Sequence, residues 1–297
     1  MKLLLEIGNT RLKWVLLQNF SVSNKTLARK GSLYIKDLNS SFKDIKDNLL
    51  FKEITDSRDQ ILKSHLYFKK DIKKSRIEVT WLSVGPEEVE KKVIQILTTI
   101  IGKTPPKKLL TPYTGSLTLN LNYAEIEVRC SYDDPKAFGA DRWAALVGLA
   151  ALGPPPVKSE KDGYQITLVS SGTATVVDHI TWKIMKDKTW KCELTDGMIY
   201  PGFEKMYSAI SFVKNINPKK NRNIKFNPRN TNDAINSGIA KCQVSTVSNR
   251  NSNIVLVHGG CSKEWIRAFS LFKAKDVKAI ERPWLVFEGI HTLSTII

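Results

Sequence analysis

Cysteine, histidine and long apolar runs are all scarce in this chain, and each scarcity closes off a class of function. The four cysteines, Cys130, Cys192, Cys242 and Cys261, show neither a CxxC pair nor the spacing of a disulfide framework, so they read as reduced thiols. The four histidines are scattered, and no His/Cys spacing marks a zinc site. No stretch stays apolar for the roughly 20 residues that a membrane helix needs. The opening MKLLLEIGNT is too short in its apolar part for a signal peptide. A cytoplasmic location with no membrane partner is the expectation. Acidic residues are also few, 29 against 46 Lys and Arg, for a formal net charge of +17. That excess invites a nucleic-acid reading. The basic clusters at 63–76 and 214–229, however, carry neither a stacking platform nor the spacing of a recognition helix. A Lys-rich solvated surface that steers anionic small molecules is the simpler account, and no nucleic-acid partner is expected.

What is present is ordinary globular material. The 297 residues, 42% hydrophobic and 25% charged, suffice for two domains with a core each. The segment 153–163, with three consecutive prolines and a charged SEKDG stretch, predicts a boundary between domains at 1–153 and 154–297. The first 33 residues read as a meander of strands over 1–7, 11–18 and 26–33, with Leu12, Trp14 and Leu16 at the strand period. A helix near 51–69 and a strand through Ile77, Val79 and Trp81 follow. Pro86 then opens a helix in which Val89, Val93, Ile96 and Ile100 recur every three or four residues. After a loop through Pro105 and Pro106, another helix is predicted over 141–152.

The second half repeats this order. Strands surround position 172, and 182–185 and 191–194 complete a meander. A turn over 196–202 leads to a helix near 203–212, then a helix over 231–247, a buried strand over 254–257 and a helix from Ser262. Two duplicated α/β halves with a cleft between them describe the actin-like ATPase or acetate-and-sugar-kinase fold, built from two RNase H-like domains.

One short pattern occurs in both halves. EIGNT at 6–10 and SSGTA at 170–174 each join two apolar runs. A tight glycine turn between strands aims successive backbone N–H groups into one concavity, which suits phosphate oxygens. A carboxylate at the strand end, Glu6 in the first copy, can hold a hydrated Mg²⁺ against those phosphates. Two such turns facing one another would grip a nucleotide, which points to a kinase. An ordinary hairpin with a Gly-Asn turn is the plainer alternative for the first copy.

With GADRW at 139–143 and GMIYPG at 197–202 added, the chain resembles the type III pantothenate kinases. The likeness continues through SVGP at 83–86, GTATVVD at 172–178, RNTNDAINSG at 229–238, VHGG at 257–260 and LVFEGI at 285–290. The resemblance implies ATP-dependent phosphorylation of pantothenate, the first committed step toward coenzyme A. It also implies Mg²⁺, in many members a monovalent cation (K⁺ or NH₄⁺), and a homodimer whose second subunit helps close the pantothenate pocket. On the same footing, Asp141 is the catalytic acidic residue that accepts the proton of the pantothenate hydroxyl. Glu6, Gly8, Asn9, Thr10 and Lys13 form the first phosphate turn, and Ser171, Gly172, Thr173, Gly259 and Gly260 the second. Tyr132, Gly139, Ala140, Arg142 and Thr231 line the substrate, Thr231 from the other subunit.

Each role has a plainer alternative. Asp141 could cap its helix, Arg142 form a structural salt bridge, Tyr132 lie in the core and Thr231 act as an N-cap. The Gly pair could merely close a βα turn. Four positions depart from the family pattern: Glu6 and Ser170 stand where Asp is usual, Cys130 where Asn is, and Asp196 where Gly is. Glu6 keeps the charge one methylene farther out, while Ser170 removes the charge expected at a monovalent-cation site. A catalytically weakened relative acting as a binding or accessory protein, and a kinase for another hydroxylated substrate, are the competing readings.

Overall fold

A computed structural model describes all residues except 18–28, 39–47, 65–76, 102–105, 110–113, 156–162, 214–222, 249–251, 253, 274–276 and 297. Most of the expected linker and much of both basic clusters lie outside the described residues, as do the ends of the predicted 26–33 strand and 51–69 helix. The chain forms two compact units, and they do not follow a single cut near position 153. One comprises residues 1–113, 136–151 and 285–297, the other 114–135 and 152–284.

The first unit carries a five-stranded sheet in the order β3-β2-β1-β4-β5. Its strands are β1 (Lys2–Ile7), β2 (Arg11–Leu17), β3 (Arg29–Tyr34), β4 (Glu78–Ser83) and β5 (Lys107–Lys108). The first three pair antiparallel, and β4 and β5 add in parallel. The helices α1 (Ile35–Leu38), α2 (Leu49–Ser64) and α3 (Glu87–Ile101) follow the strands. Leu3, Leu5, Ile7, Leu12, Trp14, Leu16, Val79 and Trp81 pack with Leu50 and Ile54 of α2 and with Val89, Val93 and Ile96 of α3.

Strand residues alternate faces, so Leu4, Glu6, Lys13 and Val15 point the other way. That second face is covered by α4 (Ala140–Ala151) and α8 (Leu285–Ile296). Every residue of β1 is therefore buried, and Val15 is buried too, where a half-buried alternation was expected. The helices α4 and α8 approach until their backbones nearly touch. A Cβ on Gly148 would lie 2.1 Å from the Leu285 carbonyl oxygen, and one on Gly289 1.7 Å from that of Ala144. Glycine at these two positions is what lets α4 seat firmly, and α4 carries Asp141.

The second unit repeats the plan with two strands added. Its sheet runs β12-β11-β8-β9-β10-β7-β6, with β6 (Ser116–Leu121), β7 (Ala124–Cys130), β8 (Tyr164–Ser171), β9 (Ala174–Ile184), β10 (Trp190–Pro201), β11 (Ile254–His258) and β12 (Lys278–Glu281). Its helices are α5 (Phe203–Ile210), α6 (Thr231–Ser248) and α7 (Ser262–Phe272). The core joins Val169, Val177, Val255 and Val257 of the sheet to Phe203, Tyr207, Val244, Trp265 and Phe269.

Two expectations change here. The 196–202 segment is not a turn, because Gly197–Pro201 continues β10 against β9 past a bulge between Leu194 and Asp196. The added hairpin of β6 and β7 was not anticipated, although Leu117, Leu119, Ile126 and Val128 sit at alternate positions. Among the described residues no helix is long and apolar enough to cross a membrane.

Candidate active site

In the first unit the turn after β1 is closed by the Gly8 N–H donating to the Arg11 carbonyl, 2.9 Å. Asn9 and Thr10 are exposed at its tip. The segment 83–86 braces it from behind. The Val84 N–H donates to the Ile7 carbonyl at 2.9 Å, and a Cβ on Gly85 would sit 2.5 Å from the Gly8 carbonyl oxygen. Gly85 therefore shapes the turn, a role not read from SVGP.

Glu6 and Lys13 are directly opposite in the β1–β2 register, so their side chains share a face. The Lys13 ammonium donates to both Glu6 carboxylate oxygens, at 2.8 and 3.0 Å. The Glu6 side chain is largely buried and that of Lys13 is about one-third exposed, 12% and 32%. The pair is thus better shielded than a surface ion pair, whose worth is small, and Lys13 keeps access to solvent.

Asp141 lies on the same side, at the second position of α4. Burial raises the pKa of its carboxyl, and the negative charge of Glu6 adds to the rise. The Arg142 N–H, which donates to Oδ1 at 2.9 Å, and the Arg142 charge pull the other way. Two carboxyls that repel each other, one of them with its pKa raised by burial and by the other's charge, form an arrangement typical of functional sites. Gly139 leaves room for this geometry, since a Cβ there would lie 2.9 Å from Asp141 Oδ1. The Gly139 carbonyl accepts from the Trp143 N–H, and Ala140 is buried against the unit. Arg142 is buried with its guanidinium 4.4 Å above the Phe138 ring.

In the second unit three chain segments converge on the Gly172–Thr173 turn. The Gly172 N–H donates to the Ala174 carbonyl at 2.9 Å, and the Gly202 N–H to that of Thr173 at 3.1 Å. Gly259 takes φ +100° and presses on the Ser171 carbonyl, which a Cβ would approach to 2.3 Å. The same carbonyl accepts from the Cys261 N–H at 2.9 Å. Gly202 is as tightly placed, 2.2 Å from the Gly172 oxygen to a notional Cβ. By contrast, among the described residues and apart from chain neighbours, the nearest atom to a Cβ on Gly172 is 3.8 Å away, and nothing lies within 4 Å of one on Gly260. The back of this turn is packed, whereas a Cβ on Gly172 or Gly260 would meet no close neighbour among the described residues. Gly202, inside the quoted GMIYPG, is a shaping residue that the pattern alone did not identify.

Ser170 is half-buried beside this turn, paired with Val176 on one side and His258 on the other. Tyr132 follows β7 and is half-buried. Thr231 opens α6 and is exposed. It is not the helix cap, because Asn230 is: its Oδ1 accepts the Asp233 N–H, and Asp233 Oδ2 accepts from the Asn230 amide, both at 2.9 Å. Asn230 thus caps α6, so the Thr231 hydroxyl is not used as the cap. Cys130 is buried. Asp196 sits at the β10 bulge, its carboxylate 3.9 Å from His179 Nε2. Among the described residues no cluster of three or more His, Cys, Asp and Glu forms a ready metal cage.

Over residues 2–252 the sequence matches the family described as type III pantothenate kinase. A type III pantothenate kinase of Azoarcus sp. (strain BH72) is 33% identical over 174 residues, 56% of this chain and 57% of the relative. One from Aromatoleum aromaticum is 32% identical over 120 residues, 40% of this chain and 43% of the relative. The matched stretches thus span about half the length of these relatives, at 57% and 43%. Among solved structures, a conserved Baf family protein from Campylobacter jejuni is similar over 99% of this chain and 100% of its own, at 16% identity and a TM-score of 0.48.

Proposed function

The chain belongs to the type III pantothenate kinase family, and from that premise we propose that it transfers the terminal phosphoryl group of ATP to the primary hydroxyl of pantothenate, giving 4'-phosphopantothenate. The observation that carries this reading is Asp141, a carboxyl whose proton affinity is raised by burial and by Glu6, at the start of a helix beside the Glu6–Lys13 pair. Phosphoryl transfer passes through a loose transition state, so the protein's work is positioning and charge stabilisation rather than covalent chemistry. Asp141 accepts the hydroxyl proton as the oxygen bonds to phosphorus, and orients that oxygen in line with the leaving ADP. Burial and the Glu6 charge raise its pKa, which makes it a stronger proton acceptor than a free carboxylate. Asn9 and Thr10 at the tip of the first turn, and the Gly172–Thr173 turn of the second unit, are the phosphate contacts of this reading.

Lys13 adds a mobile positive charge. Its ammonium is held by both Glu6 oxygens and leaves them for a phosphate when ATP binds. Two mutually repelling carboxyls suit a hydrated divalent cation. Glu6 would hold Mg²⁺ through water, and the ion supplies charge neutralisation on the phosphates. On the acceptor side, Tyr132, Arg142 and the hydroxyl of Thr231 line the pantothenate, with Thr231 contributed by a second copy in a homodimer. Residues 139 and 140 give the acceptor its close approach to Asp141.

The test is direct. Purified protein with ATP, Mg²⁺ and pantothenate should release ADP and form phosphopantothenate, identified by mass. Nucleotide binding without turnover would refute the catalytic reading in favour of an accessory protein. Turnover of a different alcohol alone would refute the choice of substrate.

A further inference from the structure

Behind the Gly172–Thr173 turn lies a buried amide for which the phosphoryl-transfer chemistry has no use. Gln243, on α6, is 0% exposed. Its Oε1 accepts from the Thr175 hydroxyl, and its Nε2 donates to the Pro201 carbonyl at 2.8 Å and approaches Met206 Sδ at 3.2 Å. Its own carbonyl accepts from the Tyr200 hydroxyl at 2.7 Å and from Trp265 Nε1 at 2.9 Å. Thr175 is the cross-strand partner of Ser171 and stands two residues after Thr173. Pro201 is the last residue of β10 and precedes Gly202, whose N–H holds the Thr173 carbonyl. One side chain thus ties together the strand that leaves the turn and the strand end that braces it.

A buried primary amide is expensive to place unless its donors and acceptor are satisfied. A hydrophobic residue of the same size would pack the core without that constraint. What the amide adds is direction: bonds of fixed geometry to the strand that leaves the turn and to the strand end that braces it. We propose that Gln243 is a positioning residue that sets the shape of the Gly172–Thr173 turn for phosphate binding. The proposal rests on the reading of this turn as part of the nucleotide site. Gln243 touches no phosphate itself and acts through Thr175 and Pro201.

The test is Gln243→Met, which keeps the volume and removes both side-chain bonds. Three quantities are compared with wild type: the affinity for the fluorescent nucleotide mant-ATP, the KM values for ATP and pantothenate, and amide hydrogen exchange without nucleotide. Mant-ATP affinity should fall at least about 10-fold and KM for ATP rise to match, as expected when a preorganised anion site loosens. KM for pantothenate should stay within about twofold. The Gly172 and Gly202 amides should exchange faster while those of β8 and β11 hold their protection. Thr175→Val, which removes the hydroxyl at near-constant volume, should have the same effect, and the double variant should be no worse than the more affected single one. It also carries the test if Gln243→Met fails to fold. A lower melting temperature with nucleotide affinity and Gly172 and Gly202 exchange unchanged would overturn the proposal, leaving Gln243 a structural residue. If wild type binds no mant-ATP, the nucleotide reading falls, and the exchange of the two glycine amides still decides whether Gln243 shapes the turn.

Discussion

Replacing Gly202 with alanine separates the shape of the second turn from its chemistry. The added Cβ would lie 2.2 Å from the Gly172 carbonyl oxygen and 2.8 Å from that of Thr173, whereas non-bonded heavy atoms settle at about 3.5 Å. Backbone must therefore move by roughly 1 Å, and the part free to move is the turn, because Gly202 leads into α5, whose Phe203 and Tyr207 are buried in the core. Overpacking of this kind costs about 1–3 kcal/mol, equivalent to a fall of roughly 2–10 °C in melting temperature for a chain of this size. A displacement near 1 Å at a reacting group costs about 10²-fold in rate. Gly202→Ala should therefore lower kcat/KM for ATP by about two orders of magnitude with only a modest thermal shift. Gly172→Ala is the contrast: among the described residues, and apart from chain neighbours, its Cβ meets no atom closer than 3.8 Å. That variant should keep the wild-type melting temperature and lose nucleotide affinity. Steady-state kinetics with varied ATP and thermal unfolding without ligand measure both. Wild-type kinetics in Gly202→Ala, or a large thermal loss in Gly172→Ala, would refute the placement of the turn.

Asp141→Asn should abolish phosphopantothenate formation and yet raise the melting temperature at pH 7. The sign follows from the raised pKa: the stability linked to this group is present below its unfolded pKa and lost as pH rises through the folded value. At neutral pH the carboxylate is thus a liability that Asn removes, and the two proteins should converge in acid. An equal or lower melting temperature at pH 7 would count against the buried, Glu6-opposed carboxyl. Glu6→Gln should raise the Mg²⁺ concentration needed for half-maximal rate by about 10- to 100-fold, the usual range for a lost metal-orienting group. The same change removes a charge that holds the Asp141 pKa up, so the acid limb of the kcat/KM profile should move to lower pH. An unmoved limb would uncouple the two residues. Ser170 carries no charge, so K⁺ in place of Na⁺ should stimulate turnover little; strong activation would show that other groups build a monovalent-cation site.

Much of the first unit was legible because its signals are local. The run 2–7 followed by a Gly-Asn turn and alternating Leu12, Trp14 and Leu16 can hardly be anything but a hairpin. Val89, Val93 and Ile96 mark the buried stripe of α3 wherever that helix docks. The place of Asp141 at the start of a helix was legible from the helix pattern after GADRW. The misreading of 196–202 has a non-local cause. Gly197 and the Pro201–Gly202 pair look like turn punctuation, yet the segment between them is strand because β9 offers an edge to pair with, and pairing is non-local. Thr231 reads as a cap until the side chain of Asn230, one residue earlier, is seen to accept the Asp233 N–H, a local competition between neighbouring polar residues.

The amino-acid order alone determined which residues are candidates for the chemistry: two glycine turns, a carboxylate on a strand and another at a helix start, and a lysine two positions past the first turn's end. Side-chain identity and short-range periodicity carry that information, and both are written in consecutive residues. Tertiary structure alone decided that Glu6 and Asp141 oppose one another, that Gly85, Gly202 and Gly259 shape the turns, and that α4 and α8 belong to one unit. Those facts depend on which distant segments meet, and contact between remote parts of a chain is settled by packing and charge across space, where spacing along the sequence has no say.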